Sequence, residues 1–354
     1  MLSDEQWMQK AIAEAYQADY QTWQNPRVGA VVVKNNQLLA VGHTHEFGGV
    51  HAERDAISKL SPEQTDGATL YVTLEPCNHF GKQPPCSQLI INSKIRKVVI
   101  AEKDPHSLVT GKGIRTLKSH GIKVMTGILT KEAEEINPHY NFFFRHQRPW
   151  ITLKQAVSLD YKVSAVRGQR TQITNQEVYD YVHQERVWYH GILIGSQTAI
   201  IDNPRLTVTV PTHFPPVRII IDRRGRLANH LDLLLLQDQT TPTWIFTNNK
   251  LLKERLAQTV AEVIWLADCS VEAVIQECAN RGLQSLYVEG GPTIHKSFLA
   301  AGVVNELVTY LAPRLIGKNG VAGFQVDKPF VGETINFKQL GDNLRISERM
   351  KENV

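Results

Sequence analysis

The stretch from His51 to Cys86 constrains this chain more than any other. It opens His51-Ala52-Glu53 and, after a helical run and a strand, reaches Glu75-Pro76-Cys77 and then Pro84-Pro85-Cys86. One imidazole and two thiolates are three good ligands for Zn2+, and a site with three protein ligands leaves the fourth tetrahedral position for water. Such a site is catalytic rather than structural, and His51, Cys77 and Cys86 are expected to hold one zinc per chain. Glu53 stands two residues beyond the ligand histidine on a helix that starts there, beside the metal without sharing its bond. It is placed to shuttle protons for the water, whose pKa zinc lowers to ~7.

This is the His-x-Glu and Pro-Cys arrangement of zinc deaminases, in which the glutamate is general acid and base and not a ligand. The expected reaction is attack on an electron-poor ring carbon bearing an amine, with ammonia leaving. The general signature has two residues between its cysteines, whereas here eight separate Cys77 from Cys86. A structural zinc staple would need a further ligand at close spacing, for which His79 is the candidate. The longer segment Pro76-Cys77-Asn78-His79-Phe80-Gly81-Lys82-Gln83-Pro84-Pro85-Cys86 resembles the deaminase half of the bifunctional pyrimidine deaminase/reductase family of riboflavin biosynthesis.

At 354 residues the chain exceeds one typical core, and two domains are the expectation. With 42% hydrophobic and 21% charged residues it reads as an ordinary globular protein. The formal charge of +4 is mild and no basic run suggests a nucleic-acid groove, while an anionic small substrate suits the excess of lysine and arginine. Of the four cysteines two are assigned to metal, and Cys269 and Cys278 read as buried free thiols. Free thiols and thiolate ligands fit a reducing compartment. The N-terminus lacks the apolar core of a signal peptide and no apolar run approaches ~18 residues, so the cytoplasm and no membrane partner are expected.

Taken in order, Ser3 caps an amphipathic helix carrying Trp7, Met8, Ile12, Ala15 and Tyr16. Strands are expected over 28–33, 37–41, 70–74, 97–101 and 123–126, with helices starting near His51, over 86–92 and 113–119, and from Thr130. That alternation predicts an α/β domain of three layers, α/β/α. The texture changes over 142–149, an apolar segment ending in Arg148-Pro149, and the domains are divided as 1–146 and 147–354. Beyond it, strands over 151–156, 191–195, 217–222, 243–247, 263–266, 285–289 and 306–311 alternate with helices over 175–185, 251–257, 271–281 and 293–301. A second α/β domain with a mostly parallel sheet follows. The charged tail from Ser347 is expected to fray.

In the second half, Val288-Glu289-Gly290-Gly291-Pro292-Thr293 ends a strand in two glycines and opens a helix, a turn where backbone approaches a ligand and amides meet phosphate. Alone, it is equally a plain strand-to-helix turn. Together with Lys154-Gln155-Ala156-Val157-Ser158-Leu159-Asp160, Gly195-Ser196-Gln197-Thr198 and Asp202-Asn203-Pro204-Arg205-Leu206-Thr207, it resembles the reductase half of the same family. The resemblance implies a cytidine-deaminase-like domain followed by a dihydrofolate-reductase-like one that takes hydride from NADPH. It implies cofactor positions at Ala156, Thr198, Asp202, Gly291, Pro292, Thr293, Ile294, His295, Lys296 and Ser297. Substrate positions are Arg186, Leu206 and Glu289 in this half, and Asn25, His79, Lys82 and Asp104 in the first.

The chain departs from the family at several of these motifs. Tyr161 replaces a glycine, Arg170 and Gln172 stand before Ile173-Thr174, and Thr209 replaces an arginine that meets substrate phosphate, a charge that Arg170 or Arg205 would have to restore. In the first half Thr44, flanked by His43 and His45, replaces a histidine, and His106 replaces an asparagine. The expectation is a riboflavin-pathway enzyme acting on a phosphorylated pyrimidine, with homo-oligomers open. The alternatives are an active deaminase joined to an impaired reductase, a nucleic-acid-editing deaminase, and a zinc-stapled binding protein.

Overall fold

The computed structural model describes residues 1–323 and 332–350, and the chain separates into two compact units, Met1–Gln147 and Arg148–Val354. The first unit contains, in order, α1 (Asp4–Ala15), β1 (Gly29–Lys34), β2 (Gln37–His43), α2 (Ala52–Ile57), α3 (Pro62–Thr65), β3 (Thr69–Leu74), α4 (Cys86–Asn92), β4 (Lys97–Glu102), α5 (Lys112–Ser119), β5 (Lys123–Thr126), α6 (Thr130–Glu134) and α7 (Pro138–His146). Its sheet runs β2-β1-β3-β4-β5. β1 is antiparallel to both neighbours, while β3, β4 and β5 are parallel.

β1 is a continuous apolar run because both its faces are covered. Ala30 and Val32 point into one core with Ala52 and Ala56 of α2, Ile90 of α4 and Leu117 of α5. Val31 and Val33, one residue out of phase, meet Trp7, Met8 and Ala11 of α1 on the other face. A capping box closes the start of α1, where Ser3 Oγ accepts from Gln6 N and Gln6 returns its own side-chain oxygen to Ser3 N. Gly42 of β2 seats α2, for a Cβ there would lie 2.4 Å from Ala56 N and 2.5 Å from Ala52 O.

The second unit comprises β6 (Trp150–Ser158), β7 (Lys162–Ser164), α8 (Gln176–Arg186), β8 (Gly191–Gly195), α9 (Ser196–Asp202), β9 (Val217–Ile221), α10 (Leu234–Gln237), β10 (Thr243–Thr247), α11 (Leu252–Arg255), β11 (Glu262–Trp265), α12 (Val271–Asn280), β12 (Ser285–Val288), α13 (Pro292–Ala300), β13 (Glu306–Ala312), β14 (Val321–Ala322), β15 (Thr334–Leu340) and β16 (Asn343–Arg349). Nine strands pair as β11-β10-β9-β8-β12-β6-β13-β16-β15, parallel from β11 to β13 and antiparallel thereafter. Leu193, Ile219 and Val288 face α12 and α13, whereas Ile192, Ile194 and Ile220 face Ala199 of α9, Leu235 of α10 and Leu252 of α11. A fully buried run along β8 is what a parallel strand covered on both sides requires.

The apolar segment Phe142–His146 belongs to the first unit, where it completes α7, started by Pro138 in the first turn. The structure corrects two expectations. Ser347, expected to begin a frayed tail, lies in β16 between β13 and β15, and only residues 351–354 of that tail fall outside the described ones. The helix expected over 251–257 is a single turn, Leu252–Arg255. Cys269 and Cys278 are buried free thiols, and among the described residues no helix is long and apolar enough to cross a membrane.

Candidate active sites

In the first unit three elements deliver the ligands. His51 is the N-cap of α2, Cys77 follows β3 in a loop, and Cys86 is the first residue of α4. Their ligand atoms lie within 4.8 Å of one another. His51 Nδ1 is 3.6 Å from Cys77 Sγ and 3.5 Å from Cys86 Sγ. α4 holds Cys77 in place through two amides, Cys86 N donating to Cys77 Sγ (3.4 Å) and Ser87 N to Cys77 O (3.1 Å). Arg54 Nη2, one residue beyond Glu53, donates to Pro84 O and ties α2 to the loop between the cysteines.

The electrostatics suit a soft divalent cation. The hydrogen bond with Cys86, and then that with His51, draws the Cys77 thiol well below its ordinary range, while burial opposes. The same hydrogen bond with Cys77, together with burial, pushes Cys86 up. His51 is raised by its bond to Cys77. Three convergent nitrogen and sulfur donors, with one thiol already favoured as thiolate, fit zinc. Glu53, 4% exposed, is raised first by burial and then by the Cys77 charge. It sits beside this donor set with its protonated form favoured over that of an exposed carboxyl.

Glu75 acquires a position that its sequence context did not reveal. Its buried carboxylate accepts from Gly111 N (2.9 Å) and Ile114 N (3.2 Å), clamping the start of α5 against the cysteine loop. Gly113 makes that approach possible, since a Cβ would fall 2.1 Å from Pro76 O. Of the expected substrate positions, Asp104 follows β4, is buried, and feels the charges of Glu75 and Cys77. Lys82 is exposed with its ammonium 3.8 Å from the centre of the Phe47 ring. His79 is exposed and Asn25 half-buried. Thr44 is structural: its hydroxyl accepts from Val28 N at 3.0 Å, while His43 pairs with Glu14 and His45 with Asp55.

In the second unit a cavity of about 930 Å3 opens at the C-terminal ends of β8 and β12. Ala156, Thr198, Asp202, Gly291, Pro292, Thr293, Ile294 and His295 line it, as do Arg186, Leu206 and Glu289; Lys296 and Ser297, further along α13, do not. The helical spacing explains the exception, because successive residues of α13 turn away from the cavity. Thr198 Oγ1 accepts from Gly291 N (3.2 Å), joining α9 to the glycine turn. On the cavity wall Glu289 takes a two-pronged contact from Arg186, Nε to Oε1 at 2.6 Å and Nη2 to Oε2 at 3.0 Å, with Lys154 Nζ 3.8 Å away. Burial raises Glu289, but the two cations outweigh it and hold the carboxylate down at about 2. Lys154 and His183 also line the cavity and were not singled out from sequence.

At the departures from the family, Tyr161 adopts φ +60°, the left-handed region that a glycine occupies freely, and its hydroxyl accepts from Gln155 Nε2 at 2.6 Å. Arg170, Gln172 and Arg205 line the cavity, and Thr209 does not.

A zinc deaminase joined to an α/β reductase is the class that these two units define. Residues 1–102 match the cytidine and deoxycytidylate deaminase zinc-binding region, and residues 149–341 match the RibD C-terminal domain. The chain is 41% identical over 320 residues to riboflavin biosynthesis protein RibD of Bacillus amyloliquefaciens, covering 89% of this chain and 85% of the relative. It is 35% identical over 353 residues to that of Aquifex aeolicus, covering 99% and 96%. Among solved structures, Acinetobacter baumannii RibD (form 1) superposes with TM-score 0.87 at 31% identity, over 99% of both chains. The diaminohydroxyphosphoribosylaminopyrimidine deaminase/5-amino-6-(5-phosphoribosylamino)uracil reductase of Thermotoga maritima gives 0.85 at 32%, over 98% of both. The chain belongs to the RibD family of riboflavin biosynthesis proteins.

Proposed function

We propose that the first unit deaminates 2,5-diamino-6-(5-phosphoribosylamino)pyrimidin-4-one and that the second reduces the ribosyl group of the product to ribityl with NADPH. The observation that carries this reading is the buried Glu53 carboxyl beside three converging zinc donors. His51, Cys77 and Cys86 would hold the metal. Zinc, when bound, makes hydroxide available at neutral pH. Glu53 takes the proton from the attacking water and, in its acid form, delivers it to the departing ammonia; burial favours the protonated state that this second transfer needs.

In the second unit, Thr198, Asp202 and the Gly291-capped start of α13 are the cofactor side of the cavity. Arg186 and Glu289, joined by two hydrogen bonds, form the wall that meets the substrate. NADPH, when bound, supplies the hydride. The residues also fit an anionic substrate, because Arg167, Arg170 and Arg205 line the same cavity.

The test is incubation of the full chain with the diaminopyrimidine phosphate, with and without NADPH, reading products by mass. Without NADPH only the deaminated product should accumulate; with it, the ribityl product. Glu53→Gln should retain zinc and lose deamination by at least ~100-fold, whereas Cys77→Ala and Cys86→Ala should lose metal and activity together. A Glu53→Gln chain at wild-type rate, or full zinc in both cysteine variants, would remove the reading.

A further inference from the structure

We propose that Tyr140 of α7 is a positioning residue of the deaminase site, its hydroxyl orienting the Asp104 carboxylate so that Oδ2 faces the substrate. The proposal rests on the reading of Asp104 as a substrate contact and concerns what holds it.

Asp104 leaves β4 at 5% exposure, and its two oxygens are used unequally. Oδ1 accepts from His106 N at 2.8 Å and from Tyr140 Oη at 3.0 Å, which fills its lone pairs. Oδ2 has one longer contact, 3.3 Å, from the same phenol. The carboxylate is therefore pinned through one oxygen and offers the other. Its own backbone carbonyl is held by Thr110 Oγ1 at 2.7 Å, so the residue is fixed at both ends.

Tyr140 is suited to this task. Its ring is 9% exposed and belongs to the core that contains Ile114 and Leu117 of α5. Phe144, one helical turn along α7, packs on Tyr140 at 4.7 Å between ring centres and on His106 at 4.1 Å. One helix face thus secures both the acid and the loop that follows it. Burial and the Asp104 charge keep the phenol far above neutrality, so it remains a donor. Burial lifts Asp104 to about 6, with the charges of Glu75 and Cys77 adding to the rise and the bonds from His106 and Tyr140 working against it. Without the phenol the carboxylate would lose the donor that both orients it and favours its charged form.

The experiment uses the full chain and steady-state deamination by Tyr140→Phe, Asp104→Asn and the double variant. Phenylalanine keeps the ring in the core, and zinc content together with NADPH-dependent reduction of supplied deaminated intermediate reports folding. Tyr140→Phe should raise KM for the diaminopyrimidine phosphate roughly 10- to 150-fold, the range for a lost hydrogen bond to a charged group, with a smaller change in kcat. Asp104→Asn should raise KM at least as much, and the double variant should be no worse than Asp104→Asn alone. A raised KM in Asp104→Asn with a wild-type KM in Tyr140→Phe, or additive effects in the double variant, overturns the role of Tyr140 while leaving that of Asp104. A KM within twofold of wild type in Asp104→Asn overturns both.

Discussion

Glu53 and Glu289 are both buried carboxylates, and their neighbours give them opposite characters. Burial and the negative Cys77 raise Glu53, favouring its protonated form; for Glu289, burial is outweighed by Arg186 and Lys154, which hold its carboxylate down at about 2. The second case has a consequence for stability. A carboxylate whose folded pKa lies below its unfolded value stabilises the fold above the unfolded value and loses that contribution as pH falls. For Glu289 the window runs from 4.5 downward to about 2. Denaturant titrations of the chain between pH 7 and pH 3 should show a steeper acid loss in wild type than in Glu289→Gln. At pH 7 the variant should start lower by ~3 to 5 kcal/mol, because Arg186 stays buried without its partner. Equal acid slopes would assign the loss to other carboxylates.

At the scale of elements, the cysteine loop and α5 act as one body. Glu75 accepts two amides from the start of α5, and Gly113 lets that helix touch Pro76. Gly113→Ala would drive a methyl group to 2.1 Å from the Pro76 carbonyl, a backbone contact with no side chain to yield. The helix must retreat, and Cys77, one residue beyond Pro76, must move with the loop. Zinc affinity measured by chelator competition should fall at least ~10-fold, within the range for altered metal support, while NADPH-dependent reduction is retained. Wild-type zinc retention would show that the loop tolerates the displacement.

The same elements show what a sequence can and cannot reveal. β5, α4, β8 and β10 match the expected bounds because each is an uninterrupted run closed by turn residues. α9 was not among the expected helices, because its first turn, Ser196-Gln197-Thr198, carries no apolar residue to set a period. α7 was hidden by consecutive aromatics that mask its period, and β15 by exposure along nearly its whole length. The zinc donors were legible since only a few residue types bind zinc and their spacing is distinctive. Glu75, Gly113 and Tyr140 were not, because each acts through a partner more than thirty residues away, a relation that exists only after folding.

The whole molecule must recognise one phosphate twice, since the product of the first reaction is the substrate of the second. In the first unit Lys82 is an exposed cation within the cysteine loop, a point charge on a flexible stem. In the second unit Thr209, where the resemblance implies an arginine, lies off the cavity lining. Arg170 and Arg205 are in that lining, on either side of Asp202 in sequence; burial raises Asp202, and the Arg170 charge is close enough to offset part of that rise. A guanidinium already placed in the cavity can take over a phosphate contact without any change in the sheet. Reduction of the deaminated intermediate should therefore proceed, and Arg170→Ala or Arg205→Ala should raise its KM by roughly 10- to 150-fold, the range for losing a charge-assisted contact. The KM for NADPH should move far less, which separates the substrate's phosphate from the cofactor's. Glu53→Gln measured alongside should reduce the same intermediate at the wild-type rate, because its change is confined to the other unit's core. If neither arginine variant alters KM, the phosphate is held elsewhere; if wild type fails to turn over at millimolar intermediate, the loss at Thr209 has not been restored and the second unit is a reductase fold without its reaction.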